Sequence, residues 1–360
     1  MIIGVDASKL LCNQATGVEV VTADLLAAIL RQDQENTYWL YSPQPLEQTW
    51  TQGDRVKNIV VPGRIGWTQW HLSRALRQRP PDIFWSPSHI LPPKVPAKTV
   101  ASIHDLAFHL YPQSYAWKER WLSSWAVMRA VRGASQLVAV SQQTKKDLKR
   151  YFNVSGERIE VVYHALRSDF IPQEVDFSVC YLGLDKYFLY VGRIELRKNL
   201  LNVVRAFGQF ATNHPEVKLV LAGRAGYGAG KIKRLINRLK LNNKIILLDY
   251  VPIGHLPMLY SRSLGVVFVS KYEGFGLPIL EGWASGVPVM TSNLGAMAEI
   301  AGKAAWLVNP DDVDEIAAGM TQLLINVDLR QKLIDKGKAR IQEFSWERSA
   351  QKMIELWGKI

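Results

Sequence analysis

The chain has 360 residues, of which 48% are hydrophobic and 21% charged, and its formal net charge at pH 7 is +12. This length gives room for two domains with separate cores, and the composition is that of a globular protein. Two cysteines are too few for a disulfide framework, and no apolar run reaches the roughly 18 residues that a transmembrane helix needs. No Cys/His cluster has metal-ligand spacing, and no motif indicates a nucleic-acid partner.

The first half of the sequence alternates short β-rich runs with helical stretches, which predicts a parallel sheet covered by helices on both faces. The sequence enters its first β-rich run directly after Met1, without the basic flank and long apolar core of a signal peptide, so we expect a cytoplasmic protein. The runs are Ile2–Asp6, Glu19–Leu30, Thr37–Tyr41, Asn58–Val61, Ile83–Ser86, Thr99–His104, Leu137–Ser141 and Ile159–Tyr163.

Two stretches of the first half combine tryptophans with basic residues. Aromatic and basic helices of this kind can lie in the interface of an anionic membrane, which would make the protein peripheral on the inner face. An apolar stripe at helical spacing also fits a helix packed on a core, and the sequence leaves both interpretations open. The residues are Trp67 and Trp70, followed by Arg74, Arg77 and Arg79, and then Trp117, Trp121, Trp125 and Met128, with Lys118, Arg120, Arg129 and Arg132 nearby.

The alternation breaks over Arg167–Lys186, a stretch with little periodicity that we interpret as an interdomain linker. It restarts with a second series of strands and helices, which predicts a second doubly wound domain. The runs of this series are Tyr187–Val191, Asn202–Phe210, Lys218–Ala222, Ile245–Tyr250, Val266–Ser270 and Pro288–Thr291.

The segment from Glu273 to Glu281 is the most informative in the chain. A buried-strand pattern precedes it, glycines and Pro278 lie between the two carboxylates, and helical spacing follows. Glu273 should therefore lie at the carboxyl end of a strand, and Glu281 one turn inside a helix. Backbone N–H groups at such a helix start favour an anion. A diphosphate with hydroxyl-rich groups on both sides, as in a nucleotide sugar, would satisfy all these groups.

This segment resembles the Glu-x7-Glu signature of retaining glycosyltransferases of the GT-B fold, family 4 in particular. Further resemblances run in order along nearly the whole chain. They are Thr16–Val18 to the family's amino-terminal glycine loop, Ile103–Leu106 to its His-Asp turn and Val191–Asn199 to its Gly-Arg-x4-Lys segment, with Gly286–Val289 and Phe344–Glu347 to two other stretches.

The resemblance implies an α/β protein of the GT-B fold, with two doubly wound Rossmann-like domains facing across a cleft. Residues 1–168 would form the N-terminal domain on the acceptor side. Residues 169–344 would form the C-terminal domain that binds the nucleotide sugar. The final helix, predicted from Ser345 to Leu356 within residues 345–360, would pack back on the first domain.

The resemblance also implies roles for individual residues. Arg193 and Lys198 would supply two cations to the donor diphosphate, and Glu273 and His104 would contact the transferred sugar. Asp105 would lie on the acceptor side, although it could equally cap the following helix. The remaining donor-binding positions are Glu281 on the ribose hydroxyls, the glycines Gly17 and Gly192, the loop residues Tyr250 and Val251, and the backbone of Phe275, Gly276 and Leu277.

Each of these residues also has a purely structural interpretation. Arg193 and Lys198 could be a solvated cation pair after a strand, and the two glutamates could only stabilise a helix N-terminus, worth about 0.3–1 kcal/mol each. A lone histidine at a strand end, as at position 104, is commonly a structural hydrogen-bonding residue. The agreement of all the segments in chain order favours the functional interpretation.

The predicted activity is transfer of a hexose from a nucleoside-diphosphate sugar to a saccharide or lipid-linked saccharide, with retention of the anomeric configuration. The resemblance points to GDP-mannose as donor, with UDP-sugars as the alternative, and to surface polysaccharide synthesis. No metal or other cofactor is expected, because two cations would serve the diphosphate. The alternatives are another GT-B reaction, such as sugar-nucleotide epimerisation or phosphorolysis, and a non-catalytic nucleotide-sugar-binding partner of a membrane complex.

Overall fold

The computed structural model describes residues 1–11, 17–51, 53–171, 181 and 184–360. The chain forms two compact units. The first consists of Met1–His109, Trp117–Arg167 and Ser345–Ile360, and the second of Leu110–Ala116 and Ser168–Phe344. Much of the predicted linker lies outside the described residues.

The first unit contains a seven-stranded parallel sheet in the order β3-β2-β1-β4-β5-β6-β7. Its strands are Val- and Ile-rich and almost wholly buried near the centre, as expected for a parallel sheet with both faces covered. The strands are β1 (Ile2–Asp6), β2 (Thr37–Ser42), β3 (Val56–Val60), β4 (Ile83–Ser86), β5 (Thr99–Ile103), β6 (Gln136–Ala139) and β7 (Ile159–Val161). The helices up to the linker are α1 (Gly17–Gln32), α2 (Ser73–Gln78), α3 (Ala107–Leu110), α4 (Trp117–Gly133) and α5 (Gln142–Phe152).

The last helix of the chain, α13 (Trp346–Lys359), is part of the first unit. The Ser345 side chain caps its N-terminus by accepting from the Arg348 N–H. The indole N–H of Trp346 donates to the Leu166 carbonyl at 2.8 Å, and the Trp357 ring lies 6.1 Å from the ring of Trp85 in the core. Buried tryptophans of this size fix the helix against the sheet.

The second unit contains a six-stranded parallel sheet in the order β10-β9-β8-β11-β12-β13. Its strands are β8 (Tyr187–Val191), β9 (Lys218–Ala222), β10 (Ile245–Leu248), β11 (Gly265–Phe268), β12 (Val289–Ser292) and β13 (Trp306–Val308). Its helices are α6 (Leu200–Asn213), α7 (Ala229–Arg238), α8 (Leu256–Ser261), α9 (Leu277–Ala284), α10 (Gly295–Ala301), α11 (Val313–Ile325) and α12 (Val327–Ile341).

The two sheets confirm the prediction of two doubly wound Rossmann-like domains. The sequence pattern missed β13, because three residues are too few to show a periodicity, and it left α10, α11 and α12 unassigned. None of the helices in the described part of the chain is long and apolar enough to cross a membrane.

Candidate active site

The strand order of the second unit defines where a ligand would bind. Strands β8 and β11 are neighbours in the sheet, and the chain proceeds from them towards opposite edges. In doubly wound sheets such a reversal leaves a crevice outside the carboxyl ends of the two strands, and ligands bind there. The loops after β8 and β11 contain most of the residues predicted for the donor site.

The loop after β11 leads directly into helix α9. Gly276, the residue before the helix, has a φ of +116°, which favours glycine, and an added Cβ would lie only 3.1 Å from the Ile279 side chain. Pro278 lies in the first turn, where a missing N–H costs nothing. Glu273 precedes this turn and Glu281 lies within the helix, and both side chains are buried.

Glu273 is the centre of a buried cluster of charges. Its Oε1 accepts from the Lys198 ammonium at 2.6 Å, and its Oε2 accepts from the Arg197 guanidinium at 3.1 Å. Arg197 also donates to the Tyr272 carbonyl and to the Glu195 carboxylate at 3.0 Å. Each carboxylate oxygen of Glu273 therefore has its own cation, and the geometry of Lys198 is fixed by its neighbours.

The charges in this cluster determine the protonation of Glu273. Burial alone would raise the pKa of this carboxyl, but Lys198 and Arg197 outweigh burial and lower the pKa from the ordinary 4.5 to about 2. Glu273 is therefore ionised throughout the physiological range. It can accept hydrogen bonds from hydroxyl groups but cannot act as a general acid there.

This lowered pKa gives a pH dependence of stability. Between about pH 4.5 and pH 2 the unfolded chain binds a proton at position 273 that the folded chain does not, so the stability that ionised Glu273 contributes above pH 4.5 is lost as pH falls through this window. Glu273→Gln should reduce the slope of unfolding free energy against pH there, by up to about 1.4 kcal/mol per pH unit. Urea unfolding at several pH values measures this slope. Glu216→Gln, at an exposed position, is the matched control, and an equal slope in Glu273→Gln and wild type would contradict the assignment.

The loop after β8 is held by a tight backbone contact with the loop after β9. A Cβ at Gly223 would lie 2.1 Å from the Gly192 carbonyl oxygen, so this approach requires glycine. The Ile194 N–H donates to the Arg224 carbonyl, and the Gly226 N–H to the Ile194 carbonyl, both at 2.9 Å. This backbone ladder makes the loop that carries Lys198 a rigid support.

Arg193 and Lys198 are in different environments although both belong to this loop. Lys198 ends a 3₁₀ turn, Leu196–Lys198, and is largely buried against Glu273. Arg193 is exposed, and none of the ion pairs among the described residues includes it. The structure therefore brings Lys198 and Glu273 together, whereas Arg193 extends into solvent.

Glu281 has a buried partner from a different helix. The Tyr260 hydroxyl, on α8, donates to Glu281 Oε2 at 2.6 Å. This short bond to a carboxylate is of the stronger, charge-assisted kind and fixes the orientation of the Glu281 carboxyl group. Tyr260 has no counterpart among the residues predicted from the sequence, and it lies 21 positions before Glu281.

The remaining residues predicted for the donor site differ in their exposure and contacts. Tyr250 follows the edge strand β10 and is exposed, with the Arg224 guanidinium 4.6 Å above its ring. Val251 is half-buried in the same loop. The Phe275 side chain is buried edge-on against Phe344, at 5.8 Å between ring centroids, so only its backbone is placed to contact a ligand. Leu277 is the first residue of α9.

The first unit holds the other predicted residues, near its own strand reversal between β1 and β4. Gly17 is exposed and begins α1, while the preceding Thr16 lies outside the described residues. Asp105 accepts from the Ala107 N–H at 3.0 Å, which caps the short helix α3. His104 directly follows β5 and is half-buried.

The hydrogen bond of His104 defines its tautomer. Its Nε2 lies 2.8 Å from the Pro87 carbonyl oxygen, and because a carbonyl only accepts, Nε2 carries the proton. Burial lowers the pKa of His104 below 6.5, although the Pro87 bond opposes this, and the ring stacks on His164 at 5.4 Å. The imidazole is therefore neutral at pH 7, and its Nδ1 is an acceptor suited to a hydroxyl group.

Sequence reasoning did not identify Arg197, Glu195 or Tyr260 as members of the site. Arg197 is the residue before Lys198, so its basic side chain could have been assigned to the site from the sequence. The contact of Tyr260 with Glu281 joins two helices and leaves no local signal. Across the described ranges, no group of three or more His, Cys, Asp and Glu side chains is arranged to hold a metal ion.

Sequence comparisons match both units. The family model described as "Glycosyltransferase Family 4" matches residues 15–170, and that of "Glycosyl transferases group 1" matches residues 183–340. The O-antigen chain mannosyltransferase B of Escherichia coli is 30% identical over 308 residues, which cover 83% of this chain and 78% of that protein.

Solved structures share the fold over the whole chain. Sucrose-phosphate synthase from Thermosynechococcus elongatus superposes with a TM-score of 0.77 at 18% identity, covering 99% of this chain and 98% of that one. Anabaena HepE in complex with UDP-glucose gives 0.75 at 18% identity, with coverage of 100% and 99%. The chain shares the GT-B fold with these neighbours. The chain belongs to glycosyltransferase family 4, and it is a glycosyltransferase.

Proposed function

We propose that this glycosyltransferase transfers mannose from GDP-mannose to a saccharide or lipid-linked saccharide in surface polysaccharide synthesis, with retention of configuration. The observation that carries the proposal is the Glu273 carboxylate, held between Lys198 and Arg197 at the carboxyl end of β11. The similarity to an O-antigen mannosyltransferase supports the choice of sugar and pathway.

Catalysis requires stabilisation of the leaving diphosphate. As the bond between the anomeric carbon and the phosphate oxygen breaks, negative charge grows on the phosphate, and cations fixed beforehand stabilise it without reorganisation. Lys198 meets this condition because Glu273 and the rigid loop hold it. Arg193 is free of ion pairs within the described residues and extends from the same loop, so it can close over the diphosphate as the second cation.

The hydroxyl-rich ends of the donor have suitable acceptors. Glu281, oriented by Tyr260, would accept hydrogen bonds from the ribose hydroxyls, and ionised Glu273 would accept from hydroxyls of the sugar. His104 would accept from the transferred sugar through Nδ1. In the proposed reaction the acceptor oxygen attacks the anomeric carbon on the face that the phosphate leaves, and its proton passes to the departing phosphate.

The donor can be identified by binding. A thermal-shift panel of GDP, UDP, ADP and their sugars should give the largest increase in melting temperature with GDP and GDP-mannose, because ligands that bind only the folded state stabilise it. UDP-glucose is the rival, since the structurally similar HepE was solved with that compound. A larger shift with UDP-glucose than with GDP-mannose would replace the proposed donor.

Turnover distinguishes an enzyme from a non-catalytic nucleotide-sugar-binding partner. Incubation with GDP-mannose alone should release GDP slowly by hydrolysis, and a saccharide acceptor should accelerate the release. Proton NMR of the first product should show the anomeric configuration of the donor. An inverted product would exclude the retaining mechanism, and binding without any release of GDP would favour the non-catalytic role.

Transfer should be independent of divalent metal ions. Because Lys198 and Arg193 would supply the positive charge at the diphosphate, activity should persist in excess EDTA. The rate of GDP release with and without EDTA measures this. Complete loss of activity that Mn²⁺ or Mg²⁺ restores would overturn the proposed role of the two cations.

A further inference from the structure

Helix α4 has an unusual distribution of side chains between solvent and core. The side chains that it buries are small, namely Ala126, Val127, Ala130 and Val131. Its large apolar side chains are exposed instead: Trp117 by 74%, Trp121 by 66%, Leu122 by 57%, Trp125 by 39% and Met128 by 38%. The large apolar side chains of this helix therefore lie on its solvent face and only small ones on its buried face, the reverse of an ordinary surface helix.

The exposed apolar side chains form one continuous stripe. At about 100° per residue, Trp117, Trp121, Leu122, Trp125 and Met128 fall within an arc of roughly 140° on the side of the helix opposite the buried residues. We call this stripe the tryptophan face. A contiguous apolar surface of this kind on a folded protein indicates a binding surface.

Cations are interleaved with this face. Lys118, Arg129 and Arg132 fall on the same arc, and no acidic residue does, since Glu119 points to the other side of the helix. The Lys118 ammonium lies 5.5 Å from the Trp117 ring centroid, and the Arg129 guanidinium lies 5.2 Å from that of Trp125. The surface is thus both aromatic and positively charged.

A second exposed patch that is both apolar and positively charged lies beside the loop that α4 contacts. Arg129 donates to the Pro92 carbonyl at 2.8 Å, and the Lys94 N–H of the same loop lies 3.4 Å from the Ser73 hydroxyl, at the start of α2. The segment leading into α2 exposes Ile65 by 92% and Trp70 by 75%. Arg64 lies in this segment and Arg74 and Arg77 lie in α2, and there is no acidic residue from position 55 to 81.

Trp67 is the exception among the tryptophans predicted to be interfacial. It is buried, and its indole N–H donates to the Val61 carbonyl at 2.7 Å. It anchors the π-helical turn Trp67–Leu72 that precedes α2. The other four tryptophans are exposed, so the interpretation of the α4 stripe as core packing is wrong.

We propose that the tryptophan face of α4, together with the second patch formed by exposed Ile65 and Trp70, docks the first unit onto the surface of a bilayer that contains anionic phospholipids. Indole rings suit the headgroup region because they combine a large apolar body with an N–H donor. Exposed lysines and arginines among them attract anionic headgroups. Such docking would hold the enzyme where lipid-linked acceptors lie. It does not depend on which nucleotide sugar the second unit binds.

Co-sedimentation with vesicles tests this proposal. The full-length protein should sediment with vesicles of phosphatidylcholine mixed with phosphatidylglycerol and not with vesicles of phosphatidylcholine alone, and high salt should weaken the binding. The triple variant Trp117→Ser, Trp121→Ser and Trp125→Ser should bind at least about tenfold more weakly. Lys118→Gln and Arg132→Gln should each weaken binding about fivefold.

Matched controls lie in the second unit. Tyr227→Ser with Leu239→Ser removes exposed apolar groups, and Lys332→Gln with Lys338→Gln removes exposed charges, and neither pair should change vesicle binding. The melting temperature of the triple variant should fall only modestly, because Trp117 and Trp121 are mostly exposed and Trp125 is partly so. If the triple variant melts much lower, the two charge variants provide the decisive comparison.

Two results would overturn the proposal. The first is a wild-type protein that does not sediment with the anionic vesicles; if it instead self-associates, or binds a soluble saccharide, through the same tryptophans, the face is an oligomer or acceptor surface. The second is full binding by both the triple variant and the charge variants, which would place the lipid contact elsewhere.

Discussion

Replacing Lys198 with alanine should lower kcat by about 100-fold or more, the scale of removing one preorganised stabiliser of a developing oxyanion. The Lys198 ammonium is fixed 2.6 Å from Glu273 and belongs to a loop that backbone hydrogen bonds hold to its neighbour. Stabilisation of the departing phosphate would be lost mainly in the transition state, so kcat should fall far more than donor affinity. Arg193→Ala should act in the same direction.

Steady-state rates of sugar transfer, with donor affinity from calorimetry, measure this effect. Lys271→Ala is the matched control, since Lys271 pairs with the exposed Asp311 and has no proposed catalytic role. The Lys198→Ala variant should remain folded because Arg197 still pairs with Glu273, and a thermal melt checks this. A Lys198→Ala enzyme with unchanged kcat and weaker donor binding would show that Lys198 contributes to ground-state binding alone.

The glycine loop of the second unit could be predicted because its signals are local. A buried apolar run, a glycine at position 276, a proline at 278 and helical spacing beyond them each report the conformation of a few residues. The structure follows this order, with β11, the positive φ of Gly276 and then α9. The position of Glu273 at the strand's carboxyl end then follows from the general geometry of parallel sheets.

The pairing of charges within the site could not be predicted in the same way. Arg193, Arg197 and Lys198 lie within six positions, and their order does not indicate which of them contacts Glu273. The backbone decides this, because Lys198 ends a 3₁₀ turn and Asn199, with a φ of +61°, redirects the chain into α6. The pairs that result join residues about 75 positions apart.

The tryptophan stripe of α4 shows a different limit of sequence analysis. Spacing of four residues establishes that Trp117, Trp121 and Trp125 share one side of a helix, but it does not say whether that side faces the core or solvent. The opposite side carries alanines and valines, whose small volume allows close packing on the sheet. Only the tertiary structure shows that the side with the alanines and valines is the buried one.

Replacing Glu281 with alanine should weaken donor binding by about tenfold to a hundredfold, the range expected for losing hydrogen bonds to a charged group. The proposed contacts of Glu281 are to ribose hydroxyls, which do not change as the glycosidic bond of the donor breaks. The interaction is then equal in ground and transition states, so kcat should change little. Calorimetric Kd values for GDP and saturation kinetics with GDP-mannose separate the two effects.

Tyr260→Phe tests whether orientation of the Glu281 carboxylate matters. The substitution removes one buried hydroxyl, which donates to Glu281 Oε2 at 2.6 Å, and retains the ring. We expect a rise in Kd of about fivefold, the equivalent of one hydrogen bond of about 1 kcal/mol, with kcat unchanged. Glu216→Ala, at an exposed position of the same unit, should leave Kd unaltered. If Glu281→Ala instead reduces kcat strongly while Kd for GDP stays constant, Glu281 acts at the reacting centre, and Glu273 becomes the candidate for the ribose contact.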